Sequence, residues 1–379
     1  MGVFFAAFLL LPNHLLNNTF YIFALPPTLF LLYKRRADIV KSKDGLAIAA
    51  LLFYLTSSSY WAENAALSDT VQSIKHVIYL LCFLTGVSAL YSDKQRFWRF
   101  IQYVLIAACV GFTLNLWNLI GTQGFNGRLS GLVGPSNSVD LGVAYGLAAL
   151  LAAACYINEQ RLRWLSAILF LVLVSALLLT QTRVAISAFC AALGVLLLYN
   201  LRQREGVILL IAVTSLMIAG VAFGHFDRFQ RALDTSAGIF ARISIWQEIF
   251  ETVREKSLIF GMGQNSPIAL SVEELSRRPF KTTHNLYMGT FYFGGVIALI
   301  LMMGTLLYSF AAAYKWARLT KNMVPLSLLA YAALASLAHG TELLNHPVDV
   351  WFFWWLPVGI ALHVAKEMKT ASTQLVPPQ

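Results

Sequence analysis

A chain of 379 residues that is 58% hydrophobic and only 12% charged is excluded from the ordinary soluble domains, where about a quarter of residues carry charge. Its mean hydropathy of +0.66 is that of a polytopic membrane protein. The formal net charge of +10 does not point to nucleic acid, because the basic residues sit in short clusters between apolar runs, as loop anchors do.

A hydrocarbon core of about 30 Å needs roughly 20 apolar residues, fewer where flanking groups snorkel. On that basis the chain predicts an all-α polytopic membrane protein with about 12 transmembrane helices. They are expected near 2–13, 19–33, 45–61, 71–91, 98–120, 139–157, 165–182, 184–200, 207–224, 284–310, 323–340 and 350–365. The opening run VFFAAFLLLP lacks a basic n-region and a cleavage site, so it reads as a short span and not as a signal peptide. Pro26-Pro27 and Pro325 are expected to kink their helices, which packed neighbours tolerate. Cys82, Cys109, Cys155 and Cys190 each lie inside an apolar run without metal-ligand spacing and read as small buried hydrophobes.

Sidedness follows from Lys and Arg in the short loops. One set holds Lys34 to Lys43, then Lys94, Arg96 and Arg99, then Arg161 and Arg163, Arg202 and Arg204, Lys315 to Lys321, and Lys366 with Lys369. The alternate loops NHLLNN, AENAALSD and GTELLNHPVD hold none. A break at Gln181-Thr182-Arg183 is required for this alternation, which then places both termini in the cytoplasm. The expected domains are an N-terminal transmembrane bundle (1–224), a long periplasmic loop (225–283), C-terminal transmembrane helices (284–369) and a cytoplasmic tail (370–379). The eight basic residues of the long loop do not disturb the rule, because long loops translocate regardless of charge.

Within that loop, Ile239, Ile243, Trp246, Phe250 and Val253 recur at helical spacing, so an amphipathic helix is expected over 239–256. At about 100° per residue Arg242 falls near this apolar stripe, away from Glu248, Glu251 and Glu255. It either snorkels to headgroups or points into the protein. Arg183 interrupts two apolar runs, where a charge is costly and marks a cavity or a partner; the alternative is a wetted turn. Arg128 sits in the glycine-rich turn GFNGRLSGLVGPSN ahead of a helix, where backbone N–H groups can meet an anion. Lys75 lies near the outer end of its span, with snorkelling as its simplest account.

His14, His76 and His363 lie in or beside spans with no partner visible in the sequence. His284, in KTTHN before a long helix, can act as a base in a partly wet pocket or serve as a structural turn residue. No DxD, HExxH or cysteine pair occurs on the outer face, so no metal and no other cofactor is expected. His339, Glu342, His346 and Asp349 form the one ligand set of note, in an irregular loop bounded by Gly340 and Pro347. Arginine dominates instead: Arg128, Arg183, Arg242, Arg277 and Arg278 suit a multiply charged phosphate, which at a membrane means a lipid-linked one.

The motifs LLLTQTRVAIS, FARISIWQEIF and THNLYMGTFYFGGVIALI, in that order around one long loop, resemble those of the bacterial O-antigen ligase and polymerase superfamily. GRLSGLVGPSN resembles its upstream motif, with PSN where many members read NPN. The likeness covers roughly residues 120–310 in motifs, and most resembles a ligase. It implies a GT-C type glycosyltransferase of the bacterial inner membrane that takes a glycan from undecaprenyl pyrophosphate at the periplasmic face. The implied acceptor is the lipid A-core oligosaccharide, and catalysis is metal-independent and inverting. Arg183 and Arg242 match the family's pyrophosphate-binding arginines, and His284 matches its catalytic histidine; Arg128 is expected beside the pyrophosphate, with Gln181, Asn285 and Lys75 in support. A growing glycan (polymerase) or a protein serine or threonine (O-oligosaccharyltransferase) are the alternative acceptors. A transporter of anions or other solutes is the reading from another class, without the inverted repeats expected of one. Membrane lipids are the remaining partners.

Overall fold

The computed structural model describes residues 1–40, 43–63, 65–124, 127–160, 163–200, 204–220, 236–268 and 281–374, and all regular structure among them is helical. This follows from the composition, because an apolar run in lipid must satisfy its own backbone and a helix does so within one segment. Each expected span falls on a helix. The helices are α1 (Gly2–Leu10), α2 (Asn13–Thr19), α3 (Leu25–Val40), α4 (Lys43–Ser58), α5 (Leu67–Tyr91), α6 (Lys94–Gln123) and α7 (Ser138–Asn158). They continue with α8 (Arg163–Leu179), α9 (Arg183–Leu197), α10 (Arg204–Gly220), α11 (Ser236–Ser257), α12 (Leu286–Thr320), α13 (Val324–Ala335) and α14 (Leu356–Gln374). Among the described residues, five stretches are long and apolar enough to cross a membrane: Leu15–Lys34, Leu67–Tyr91, Lys94–Gln123, Ser138–Asn158 and Leu286–Thr320. The chain is a helical, multi-pass membrane protein. His225, Arg277 and Arg278 lie outside the described residues, as do the side chains of His14 and Ile239.

The prolines act differently from expectation. Pro26-Pro27 follow a π-helical turn, Phe20–Ala24, which joins α2 to α3 and widens the helix where two N–H donors are missing. A second π turn, Trp351–Trp355, stands before Leu356-Pro357 in the same way. Pro325 kinks nothing; it lies in the first turn of α13, where its missing N–H has no partner to lose. The first helix is also shorter than a span. With nine residues α1 is about 14 Å long. It packs along α6 and fills the interior, where Phe8 stacks on Phe352 with ring centroids 3.9 Å apart.

The long loop is not wholly external to the bundle. Helix α12 breaks at Gly295, whose φ is +62°, and the freed backbone pairs with the segment after α11. Met262 N donates to Tyr292 O and Gly263 N to Phe293 O, both at 2.8 Å, while Val296 N donates to Leu258 O at 3.1 Å. Glycine is needed on both sides of this approach, since a Cβ on Gly261 would lie 2.7 Å from Gly294 N.

Contacts separate two ends of the bundle. At one end, Arg163 pairs with Glu205 at 3.0 Å and Lys321 lies 4.9 Å over the Tyr199 ring, so three of the basic loops meet there. At the other, Gln264 N donates to Ser58 Oγ at 3.0 Å and its side chain to Leu344 O at 3.1 Å. That second end carries every candidate arginine and histidine described below.

Candidate functional site

The site is built around the break between α8 and α9. Thr180-Gln181-Thr182 forms the turn, with Gln181 at φ +52°, a left-handed conformation that costs a side-chain-bearing residue energy. The turn rests on the first turns of α7. Thr182 Oγ1 donates to Ser138 O at 2.9 Å, and a Cβ on Gly142 would lie 2.7 Å from Thr180 Oγ1. Arg128 clamps the turn from the other side, donating from Nε to Thr180 O at 2.7 Å and from Nη2 to Thr182 Oγ1 at 3.1 Å. Its first duty is therefore to hold the loop that presents Arg183. Arg183 is exposed as the first residue of α9, where the helix dipole also favours an anion.

Below Arg183 an apolar slot of about 400 Å³ runs between α9 and α13. Val184, Ser187, Ala188 and Ala191 line one wall, and Leu334, Leu337 and Ala338 the other.

Arg242 comes in from α11. The buried stripe of that helix is Ile245, Ile249 and Val253, rotated from the expected one: Ile243 and Phe250 are exposed, and Phe250 stacks on Phe291. Arg242 stands one turn before Ile245 on this inward face and is half-buried. Burial and the repulsion of Arg183 both weaken its hold on its proton; burial and Arg242 do the same to Arg128. Arg242 thus lies near enough to both Arg183 and Arg128 for each charge to be felt.

His284 closes the cleft. Trp246 Nε1 on α11 donates to Thr283 O at 3.1 Å, and Leu286 N donates to Ser336 O at 3.0 Å, which pins the segment between two elements. His284 takes φ +49° and its Nε2 lies 2.9 Å from Thr282 Oγ1. The ring is exposed at its surface yet crowded by protein around it. Burial first, then the charges of Arg242 and His339, hold its pKa below the ordinary 6.5. Asn285 is spent on structure: its Oδ1 caps α12 by accepting from Tyr287 N at 2.9 Å and Met288 N at 3.1 Å.

The O-antigen ligase family matches residues 168–303, a stretch that contains Arg183, Arg242 and His284. Over 357 residues the chain is also 26% identical to the O-antigen ligase of Pseudomonas aeruginosa, covering 91% of this chain and 84% of that protein. The chain is thus similar to O-antigen ligases over residues 168–303 and, at 26% identity, along most of its length. That similarity supports a glycosyltransferase-like membrane enzyme.

The loop after α13 contributes more than its sequence suggests. His339, only 6% exposed, sits between two carboxylates, with Nε2 against Asp349 Oδ2 and Nδ1 3.6 Å from Asp140 Oδ1. Burial opposes a charge on His339, but Asp349 and Asp140 outweigh it and raise its pKa above the ordinary value. Asp349 is lowered in turn: burial resists, and His339 together with backbone N–H groups prevails. Asp140, His339 and Asp349 are close enough together to be considered for a metal. The donor set fits an imidazolium held between two carboxylates better, because both ring nitrogens are already turned to acids. Glu342 and His346, expected in the same ligand set, lie outside it; burial alone pushes the Glu342 carboxyl up to about 7.

Sequence reasoning passed over Asp140, which gave no signal beyond a carboxylate in the first turn of a helix. Lys75 is not among the groups that act on the arginines; its charge acts on His76, which faces His346 with ring centroids 6.2 Å apart. His363 has a partner after all, Ser88 Oγ at 2.9 Å from Nδ1.

Proposed function

We propose that this protein transfers a glycan from undecaprenyl pyrophosphate to a sugar hydroxyl of the lipid A-core oligosaccharide, as a GT-C type enzyme of the bacterial inner membrane. The basic loops face the cytoplasm and the cleft faces the periplasm. One observation carries the reading: an apolar slot between α9 and α13 that ends on Arg183, with Arg242 beside it. A charged mouth on a greasy slot matches a phosphate on a polyprenyl chain.

In this mechanism the acceptor oxygen attacks the anomeric carbon from the side opposite the pyrophosphate. The new glycosidic bond forms as the bond to the pyrophosphate oxygen breaks, and the configuration inverts. The leaving group departs with the bonding electrons and gains charge, so pre-placed guanidinium groups stabilise it most as it leaves. Arg183 and Arg242 grip it; Arg128 acts chiefly by holding the turn. With Nε2–H donated to Thr282, the Nδ1 lone pair of His284 takes the acceptor proton. A lowered pKa keeps that ring neutral and competent at neutral pH.

The test is transfer by purified protein from undecaprenyl-pyrophosphate glycan to rough lipopolysaccharide. Transfer that persists after exhaustive chelation is expected. Extension of the lipid-linked glycan would replace the acceptor with that of a polymerase, and labelling of a pilin with that of a protein transferase. A strict need for magnesium or manganese would make Asp140, His339 and Asp349 a metal centre.

A further inference from the structure

The groups at the cleft end form an arc. Arg183 acts on Arg242, Arg242 on His284, and His284 feels His339. His339 touches Asp349, whose charge reaches His346, and His346 faces His76 across 6.2 Å. The arc ends on the ammonium of Lys75, one residue before His76 on α5, exposed and close enough to act on it.

This far end has the marks of a site. His76 is 7% exposed, yet neither its ring nor that of His346 hydrogen-bonds to any described residue. Neither ring has its nitrogens closed off inside the protein, and His346 is only half-buried, so both can reach a ligand from outside. The one acid acting on His346 is Asp349, already held by His339. Two open imidazoles beside an ammonium, with the carboxylate that acts on His346 already engaged by His339, offer donors to an anion.

We propose that Lys75, His76 and His346 seat a phosphate carried by the acceptor glycolipid. The placement rests on the transferase reading of the arginine cleft: with pyrophosphate at one end of the arc and His284 in the middle, the acceptor enters from the other end. Lys75, expected to support the pyrophosphate, then belongs to the second substrate.

The experiment measures binding of rough lipopolysaccharide to the purified protein in nanodiscs, without donor, before and after enzymatic dephosphorylation of the glycolipid. Lys75→Glu and His346→Asn are expected to weaken binding of the phosphorylated form about ten- to hundredfold, the loss of one charge-assisted hydrogen bond. Neither variant should change binding of the dephosphorylated form, and the donor KM should stay as in the wild type. Equal loss for both forms, a rise in donor KM in place of the acceptor effect, or no change at all overturns the site. So does zinc binding by the wild type that is lost in His346→Asn without any acceptor effect. Wild-type protein that shows this binding pattern but transfers no glycan refutes the transferase reading and leaves the phosphate seat standing.

Discussion

Both ends of the bundle are rich in cations, and they hold them in opposite ways. At the basic end Arg163 meets Glu205 and Arg96 meets Asp93, each at 3.0 Å, while Lys321 lies over Tyr199. Such pairs are worth about 0–1 kcal/mol each and anchor loops without creating a field. At the cleft end, among the described residues, no carboxylate lies within ion-pair distance of Arg128 or Arg242, and both are pressed toward another guanidinium. The acids that could have neutralised them, Asp140 and Asp349, are turned to His339 instead. Like charges gathered in this way repel, and an anion placed among them removes the repulsion. Charge count does not distinguish the two ends; the placement of the acids does.

The comparison breaks first at His284, if the cleft is only a strained loop. His284→Ala is expected to lower kcat by about 10²–10⁴-fold while donor binding holds. Unchanged turnover would reduce His284 to a turn residue at positive φ. Its pH dependence carries a sign. The neutral ring is the base, and its pKa is lowered, so activity should persist at pH 6.5 and decline only below it. Arg242→Gln removes one of the repelling charges, and the acid limb of the pH–rate profile should move up; a limb that stays in place would separate the two residues.

Next comes the pairing that keeps acids away from the arginines. His339→Leu leaves Asp140 and Asp349, whose side chains are 32% and 21% exposed, without the cation between them, so the cost should fall below the roughly 3–5 kcal/mol of a fully buried pair. Thermal unfolding in detergent should show a clearly lowered midpoint, and Asp349→Asn in the same background should restore part of it. A midpoint equal to the wild type would mean the triad holds nothing together.

A smaller loss is expected for the grip itself. Arg183→Lys keeps the charge but not the planar fork, so transfer should fall about ten- to hundredfold, nearly as far as in Arg183→Ala. Glycan transfer at matched membrane levels decides it, and a lysine that works as well as arginine would end the bidentate assignment. The smallest effect belongs to the opposite end. Arg163→Ala should change stability by about 1 kcal/mol and leave kcat alone, as its half-buried pair with Glu205, far from the arginines of the other end, implies. A large defect there would mean that the basic end is not just an anchor.

Although it read NHLLNN as a loop where the chain forms α2, the sequence by itself determined the membrane class, the place of most helices but not their lengths, and the break before Arg183. These are properties of local chemistry: apolar runs, basic clusters and a charge where none is cheap are all visible along the chain. It placed Arg242 near the apolar stripe of α11 but left open whether it snorkels to headgroups or points into the protein, because periodicity gives a face and not what covers it. What it could not show is which groups meet. Asp140 lies on α7 and His339 and Asp349 follow α13, so only packing reveals an imidazolium held between two acids. The same holds for Arg128, an anion ligand by its glycine-rich setting but a clamp on Thr180 once the turn is folded beside it. It holds too for the pairing of residues 258–263 with the broken turn at Gly295. Each of these depends on backbone or side-chain partners far apart in sequence, and hydrogen-bond partners, unlike hydrophobicity, are not a property of any one segment. Tertiary structure alone decided them.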